Sequence, residues 1–132
     1  MPKGLISRSQ NMKKILLVED NAIILDNVSE ILELEGYQTI TAKDGIEGLS
    51  LAKSEKPDLI LSDIDMPLMN GYEMLNEIRN DEAIQKTPII FLSVKNHGQE
   101  LVHGLQFGAD AYICKPFDLT ELLETVETHL NK

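Results

Sequence analysis

Leu59-Ile60-Leu61-Ser62-Asp63-Ile64-Asp65-Met66-Pro67 opens as an uninterrupted apolar run and closes on two acidic side chains and a proline. Apolar residues that do not alternate with polar ones suit a short strand covered on both faces, as in a parallel sheet. Pro57 ends any helix that precedes the run. Pro67, Asn70 and Gly71 mark Met66 to Gly71 as a loop. The stretch therefore reads as a buried strand that delivers Asp63 to its carboxyl end.

Working outward, the same grammar repeats. Ile15 to Val18 is a second continuous apolar run, Tyr37 to Ala42 a weaker strand, Ile89 to Leu92 a strand introduced by Pro88, and Ala111 to Cys114 the last. Helical periodicity lies between them. Ile24, Leu25, Val28, Ile31 and Leu32 form one stripe over Ala22 to Glu35, with Asn21 as N-cap and Gly36 as stop. Further helices are expected over Asp44 to Lys53, Tyr72 to Asn80 and residues 98–107, the last weakened by Gly98 and Gly104. Asp118 and Glu121 suit a capping box before a final helix with Leu119, Leu122, Leu123, Val126 and Leu130 on one face. Five strand–helix units in alternation imply an α/β fold, a doubly wound parallel sheet with helices on both faces. Sites in such folds lie at the carboxyl ends of the strands. Polar residues interrupt the apolar runs at those ends: Glu19-Asp20, Ser62-Asp63-Ile64-Asp65, Ser93 and Lys115-Pro116.

Composition narrows the function. The 132 residues suit one domain, read as a tail over residues 1–11 and a folded domain over 12–132. Asp and Glu outnumber Lys and Arg by 22 to 12, for a net charge of −10, which opposes direct nucleic-acid binding. The one cysteine, Cys114, excludes an internal disulfide and is expected to pack as a small hydrophobe. No apolar run approaches the roughly 20 residues needed to span a bilayer, and the start lacks a secretory pattern, so a cytoplasmic location is expected. His97 and His103 show no ligand spacing and His129 suits a polar helix face.

Carboxylates brought together at a sheet edge either raise a pKa or recruit a cation, and oxygen-only donors favour a hard ion such as Mg²⁺. Asp20, Asp63 and Glu19 are the candidate metal residues; Lys115 adds a fixed positive charge and Ser93 a hydroxyl donor. Carboxylate, Mg²⁺, ammonium and hydroxyl together suit phosphoryl transfer, with an aspartate as nucleophile.

Four segments carry a family likeness: ILLVED (15–20), PDLILSDIDMPLMNGYE (57–73), TPIIFLS (87–93) and GADAYICKPF (108–117). In this order and spacing the chain resembles the receiver domains of two-component response regulators, most closely the single-domain chemotaxis type, over residues 12–132. The resemblance implies a flavodoxin-like sheet of order 2-1-3-4-5 with five helices. It makes Asp63 the phosphoacceptor and Asp20 a direct Mg²⁺ ligand, with Glu19 acting through water and Asp65 through its backbone carbonyl. It pairs Lys115 with the phosphoryl group, has Ser93 bond a phosphoryl oxygen, and makes Tyr112 the aromatic that turns inward. A sensor histidine kinase or histidine phosphotransfer protein would be the donor. A downstream protein would read the face of the 98–107 helix, the fifth strand and the last helix. Such a domain is no enzyme beyond its own phosphorylation and dephosphorylation. Val94 stands where the family often has alanine, and Asp65 and Lys95 flank the site; slowed phosphate loss is expected from them.

Two rival functions are set against this. Asp63-Ile64-Asp65 is also a DxD as in haloacid-dehalogenase-type phosphatases, but Met66-Pro67 follows it, the acidic pair precedes it, and no room for a cap exists. A phosphorylation-independent binding module would be expected to lack an acceptor-site residue, and none is missing.

Overall fold

Side chains of each central strand divide between two apolar clusters, one on either face of a single sheet. The computed structural model describes residues 12–93 and 108–131. The expected tail over 1–11, the 98–107 helix, Val94, Lys95, His97 and His103 lie outside them. In chain order the described elements are β1 (Lys14–Val18), α1 (Ala22–Leu34), β2 (Gln38–Ala42), α2 (Gly45–Glu55), β3 (Leu59–Asp63), α3 (Gly71–Arg79), β4 (Ile89–Ser93), β5 (Ala111–Cys114) and α4 (Leu119–Leu130). The strands form one sheet of order β2-β1-β3-β4-β5, and every neighbouring pair is parallel. This is the fold class expected from the sequence.

Leu16, Val18, Ile60, Ile89 and Phe91 face Met74, Leu75 and Ile78 of α3 and Ala52 of α2. Ile15, Leu17, Leu59, Leu61, Ile90, Leu92 and Ile113 face Leu25, Val28 and Leu32 of α1 and Leu122 and Val126 of α4. The strands are therefore apolar on both faces, which is why their sequences run without alternation.

Element ends follow from local hydrogen bonds. Asn21 Oδ1 accepts from the N–H groups of Ile23 and Ile24, at 3.0 and 3.1 Å. After α1, the N–H of Gly36 (φ 98°) donates to Glu33 and that of Tyr37 to Leu32, so β2 begins one residue later than the apolar pattern suggested. Helix α2 runs to Glu55 because Lys56, at φ 47°, still closes the last turn through Ala52 before Pro57. Asp118 Oδ1 accepts from the Glu121 N–H, as its capping role requires, and a full reciprocal box stands at Asn70 and Glu73, which the sequence reading missed.

Two contacts fix the frame around the site. The Arg79 guanidinium donates to the carbonyls of Gln85, Thr87 and Gly108 and to Asp110, tying the end of α3 to the entry of β4 and β5. Gly71 opens α3 against the end of β3: its N–H donates to Ile64 O at 2.8 Å. A Cβ there would stand 2.7 Å from the Asp63 carbonyl oxygen and 3.0 Å from the Phe91 ring. Gly71→Ala is therefore expected to destabilise the protein by about 1–3 kcal/mol, since backbone on one side and a packed ring on the other leave little room to relax. A urea midpoint equal to wild type would contradict this packing.

Candidate functional site

Parallel strands bring their carboxyl ends to one edge, and the polar residues that follow the apolar runs meet there. Glu19 follows β1 directly. Its N–H donates to Ala42 O at 3.0 Å, extending the ladder by one residue and keeping its side chain inside the protein, where it is 1% exposed. Asp20, the next residue, is exposed. Asp63 is the last residue of β3, and Lys115 follows β5, its N–H donating to the Ser93 carbonyl at 2.6 Å.

One carboxylate oxygen from each of Glu19, Asp20 and Asp63 lies within 4.8 Å of the others. The Lys115 ammonium sits 2.6 Å from Glu19 Oε1 and 3.9 Å from Asp63 Oδ2. Glu19 Oε2 accepts from the Asn21 N–H at 3.1 Å, and Asp63 Oδ1 from the Ile64 N–H at 2.8 Å. Burial pushes the Asp63 carboxyl up from 3.8 to about 6. The Lys115 charge and the Ile64 N–H oppose this rise, while the charges of Glu19 and Asp20 add to it.

Three carboxylates with one ammonium leave net negative charge at the edge of a low-dielectric interior. The donors are all oxygen, and Asp20 gives access from solvent. This set fits a hard divalent cation such as Mg²⁺, with Asp20 and Asp63 as the residues that would hold it.

The remaining expected residues are distributed around this centre. Ser93 ends β4 and is buried. Asp63 pairs in register with Leu92, so Ser93 lies one residue further along the neighbouring strand. Tyr112 pairs with Phe91 and packs, half-buried, against the cluster on the α2–α3 face. Asp65 is exposed in the loop after β3, and its side chain is not among the grouped carboxylates. Cys114 departs from expectation: it is half-buried, outside both clusters, and its thiol donates to the Lys115 carbonyl at 3.4 Å. It is the last residue of β5. His129 is half-buried on α4, with Nδ1 2.8 Å from Thr125 O.

Sequence reasoning missed two features. It paired Lys115 with an incoming phosphoryl group and did not foresee the Glu19 contact. It also placed Ile24 and Ile31 in the apolar stripe of α1, and they do pack against the core, but it did not foresee that they also line a groove of about 430 Å³ with Val28, Pro116 and Phe117, beside Lys115.

The raised Asp63 carboxyl has a consequence for stability. The folded state holds this proton more tightly than the unfolded chain, so the group's contribution favours folding at low pH and is lost as pH rises from about 4 through about 6. Asp63→Asn is expected to stabilise the metal-free protein above pH 7 by about 1–2 kcal/mol, a value discounted for the partial solvent screening of the group. The gain should vanish near pH 4. Urea denaturation in a chelating buffer at pH 4.5 and 7.5 measures it, and an equal difference at both would contradict the site electrostatics.

Comparison with known proteins places this edge in context. The profile of the family described as "Response regulator receiver domain" matches residues 15–127. The probable transcriptional regulator ycf29 of Pyropia yezoensis is 39% identical over 113 residues, covering 86% of this chain and 51% of that protein. The chain thus spans about half the length of that curated relative. Among solved structures, the chemotaxis response regulator CheY4 of Vibrio cholerae superimposes with a TM-score of 0.85 at 34% identity, covering 90% of this chain and 99% of CheY4. The receiver domain of the sensor histidine kinase PA1611 from Pseudomonas aeruginosa PAO1, solved with a magnesium ion coordinated in its active-site cleft, gives a TM-score of 0.85 at 31% identity, with 92% and 99% of the two chains covered.

Proposed function

The chain belongs to the response regulator receiver family, and on that premise we propose that it accepts a phosphoryl group on Asp63 from a phosphohistidine donor, with Mg²⁺ bound by Asp20 and Asp63. The observation that carries the reading is the convergence of Asp63, Asp20 and Glu19 with the Lys115 ammonium 3.9 Å from Asp63 Oδ2.

In the proposed transfer, an Asp63 carboxylate oxygen forms a bond to phosphorus while the phosphorus–nitrogen bond breaks, its electron pair staying on the departing imidazole. The raised Asp63 carboxyl is still mainly ionised above pH 7, so the oxygen is available as nucleophile. Bound Mg²⁺ supplies neutralisation of the charge on the phosphoryl oxygens, the chief demand of this chemistry. Lys115 supplies an ammonium beside Asp63, and the Ser93 hydroxyl, at the end of the adjacent strand, meets a phosphoryl oxygen. The magnesium in the cleft of the PA1611 receiver supports this assignment. The chain catalyses only its own phosphorylation and the hydrolysis of the resulting acyl phosphate.

The groove beside Lys115 is where the donor seats. Helices α1 and α4 flank that side with Asp26, Glu30, Glu33, Glu121, Glu124 and Glu127 and hold no Lys or Arg. A second copy of this chain would be repelled, so the groove suits an apolar helix with basic flanks on a sensor histidine kinase or phosphotransfer protein. A downstream protein reads β5 and α4, where a movement of Tyr112 following Ser93 would be felt. No helix among the described residues is long and apolar enough to cross a membrane; we place the protein in the cytoplasm, with its donor.

Incubation with Mg²⁺ and phosphoramidate, followed by intact-mass measurement, tests the reading. Wild type is expected to gain one phosphoryl group and Asp63→Asn none. No gain by wild type, with acetyl phosphate also failing, would leave a phosphorylation-independent binding module.

A further inference from the structure

The family resemblance implies that Glu19 serves the metal, yet its carboxylate is committed elsewhere. Oε1 receives the Lys115 ammonium at 2.6 Å and Oε2 receives the Asn21 N–H at 3.1 Å, so both oxygens are engaged. Glu19 is 1% exposed and the Lys115 side chain 9%. Asp63, by contrast, lies 3.9 Å from the same ammonium, a distance at which no hydrogen bond forms. The lysine thus sits on Glu19 and beside the nucleophile.

Burial explains why the pair persists. A carboxylate removed from water is strongly unfavourable unless a charge partner and hydrogen bonds replace its hydration. Glu19 has both, and its backbone is pinned by the bond to Ala42. It is a fixed anchor, whereas Asp20 is exposed and Asp63 ends a strand.

We propose that Glu19 is a positioning residue that acts through Lys115, holding the ammonium off the Asp63 carboxylate until a phosphoryl group arrives. An ammonium bonded directly to Asp63 would lower the nucleophilicity of the oxygen that must attack phosphorus. It would also occupy the carboxylate that a divalent cation needs. Held on Glu19, the same charge is close enough to meet a phosphoryl oxygen once it is delivered. The inference rests on the phosphoacceptor reading and deepens it by giving the buried acid a role distinct from that of Asp20.

A double-mutant cycle separates the roles. Phosphorylation by phosphoramidate is followed by intact mass at saturating Mg²⁺ in wild type, Glu19→Gln, Lys115→Met and the double variant, and Mg²⁺ affinity is measured by calorimetry for each. Glu19→Gln is expected to slow phosphorylation about tenfold in the presence of Lys115, and to change it less than about twofold when Lys115 is already methionine. Equal loss in both backgrounds, matched by an equal loss of Mg²⁺ affinity, would mean that Glu19 acts on the metal, and would overturn the proposal. So would no loss in either. Lys115→Met leaves a buried carboxylate unpaired and is the variant most exposed to misfolding. A second measurement therefore uses metal-free wild type and Glu19→Gln alone: nitrogen–proton correlation of the lysine ammonium groups. The Lys115 signal should show a coupling across its hydrogen bond to the Glu19 carboxylate carbon in wild type, and to the Asp63 carboxylate carbon in Glu19→Gln. Coupling to Asp63 in wild type would refute the proposal. If wild type takes up no phosphoryl group at all, the phosphoacceptor reading itself fails; if it does and the cycle is additive, only the role of Glu19 fails.

Discussion

Among the described residues, the Lys115 ammonium stands against the three grouped carboxylates of Glu19, Asp20 and Asp63, and the site depends on that imbalance. Lys115 satisfies the most buried acid, Glu19, at 2.6 Å and leaves Asp63 and Asp20 with charge to spare. Had the lysine been free to choose, solvent-exposed pairing would be worth little; inside the protein the loss of hydration makes the choice of partner decisive. Burial raises the Asp63 carboxyl, with the charges of Glu19 and Asp20 adding to the rise, and the surplus negative charge gives the edge its demand for a cation.

The fold creates this imbalance by topology alone. Lys115 and Glu19 are 96 residues apart in sequence yet bonded, because β1 and β5 point the same way in one sheet and end at the same edge. The two apolar clusters hold the strands in register, so a core side chain such as Phe91 contributes to the site without touching substrate: it fills the space against Tyr72 and against the glycine that opens α3. Gly71 in turn lets the helix start directly on the backbone of Asp63. Core packing and acceptor geometry are therefore one constraint seen from two sides.

Much of this could be read from the chain. The uninterrupted runs at 15–18, 59–61 and 89–92 announced strands covered on both faces, and the polar residues that follow them announced the edge at which they gather. Asn21, Gly36 and Asp118 marked helix ends through well-understood capping chemistry. What the sequence concealed were choices among near-equivalent partners. Nothing in the order of residues says that Lys115 prefers Glu19 to Asp63; that follows from which carboxylate the ladder carries into the interior. Cys114 is the last residue of its strand and is only half-buried, which its composition does not announce. Ile24 and Ile31 pack against the core as their stripe suggested, but periodicity does not report that the same side chains also line a groove.

If a charge surplus is what the edge is built to hold, binding of Mg²⁺ must compete with the proton on Asp63. Calorimetric titration of the protein with Mg²⁺ at a series of pH values tests this directly. The account predicts one saturable site whose affinity is steady above pH 7 and falls as pH drops through about 6, the value to which the Asp63 carboxyl is raised. Affinity that is unchanged between pH 5 and 8, or an absence of saturable binding at any pH, would contradict it.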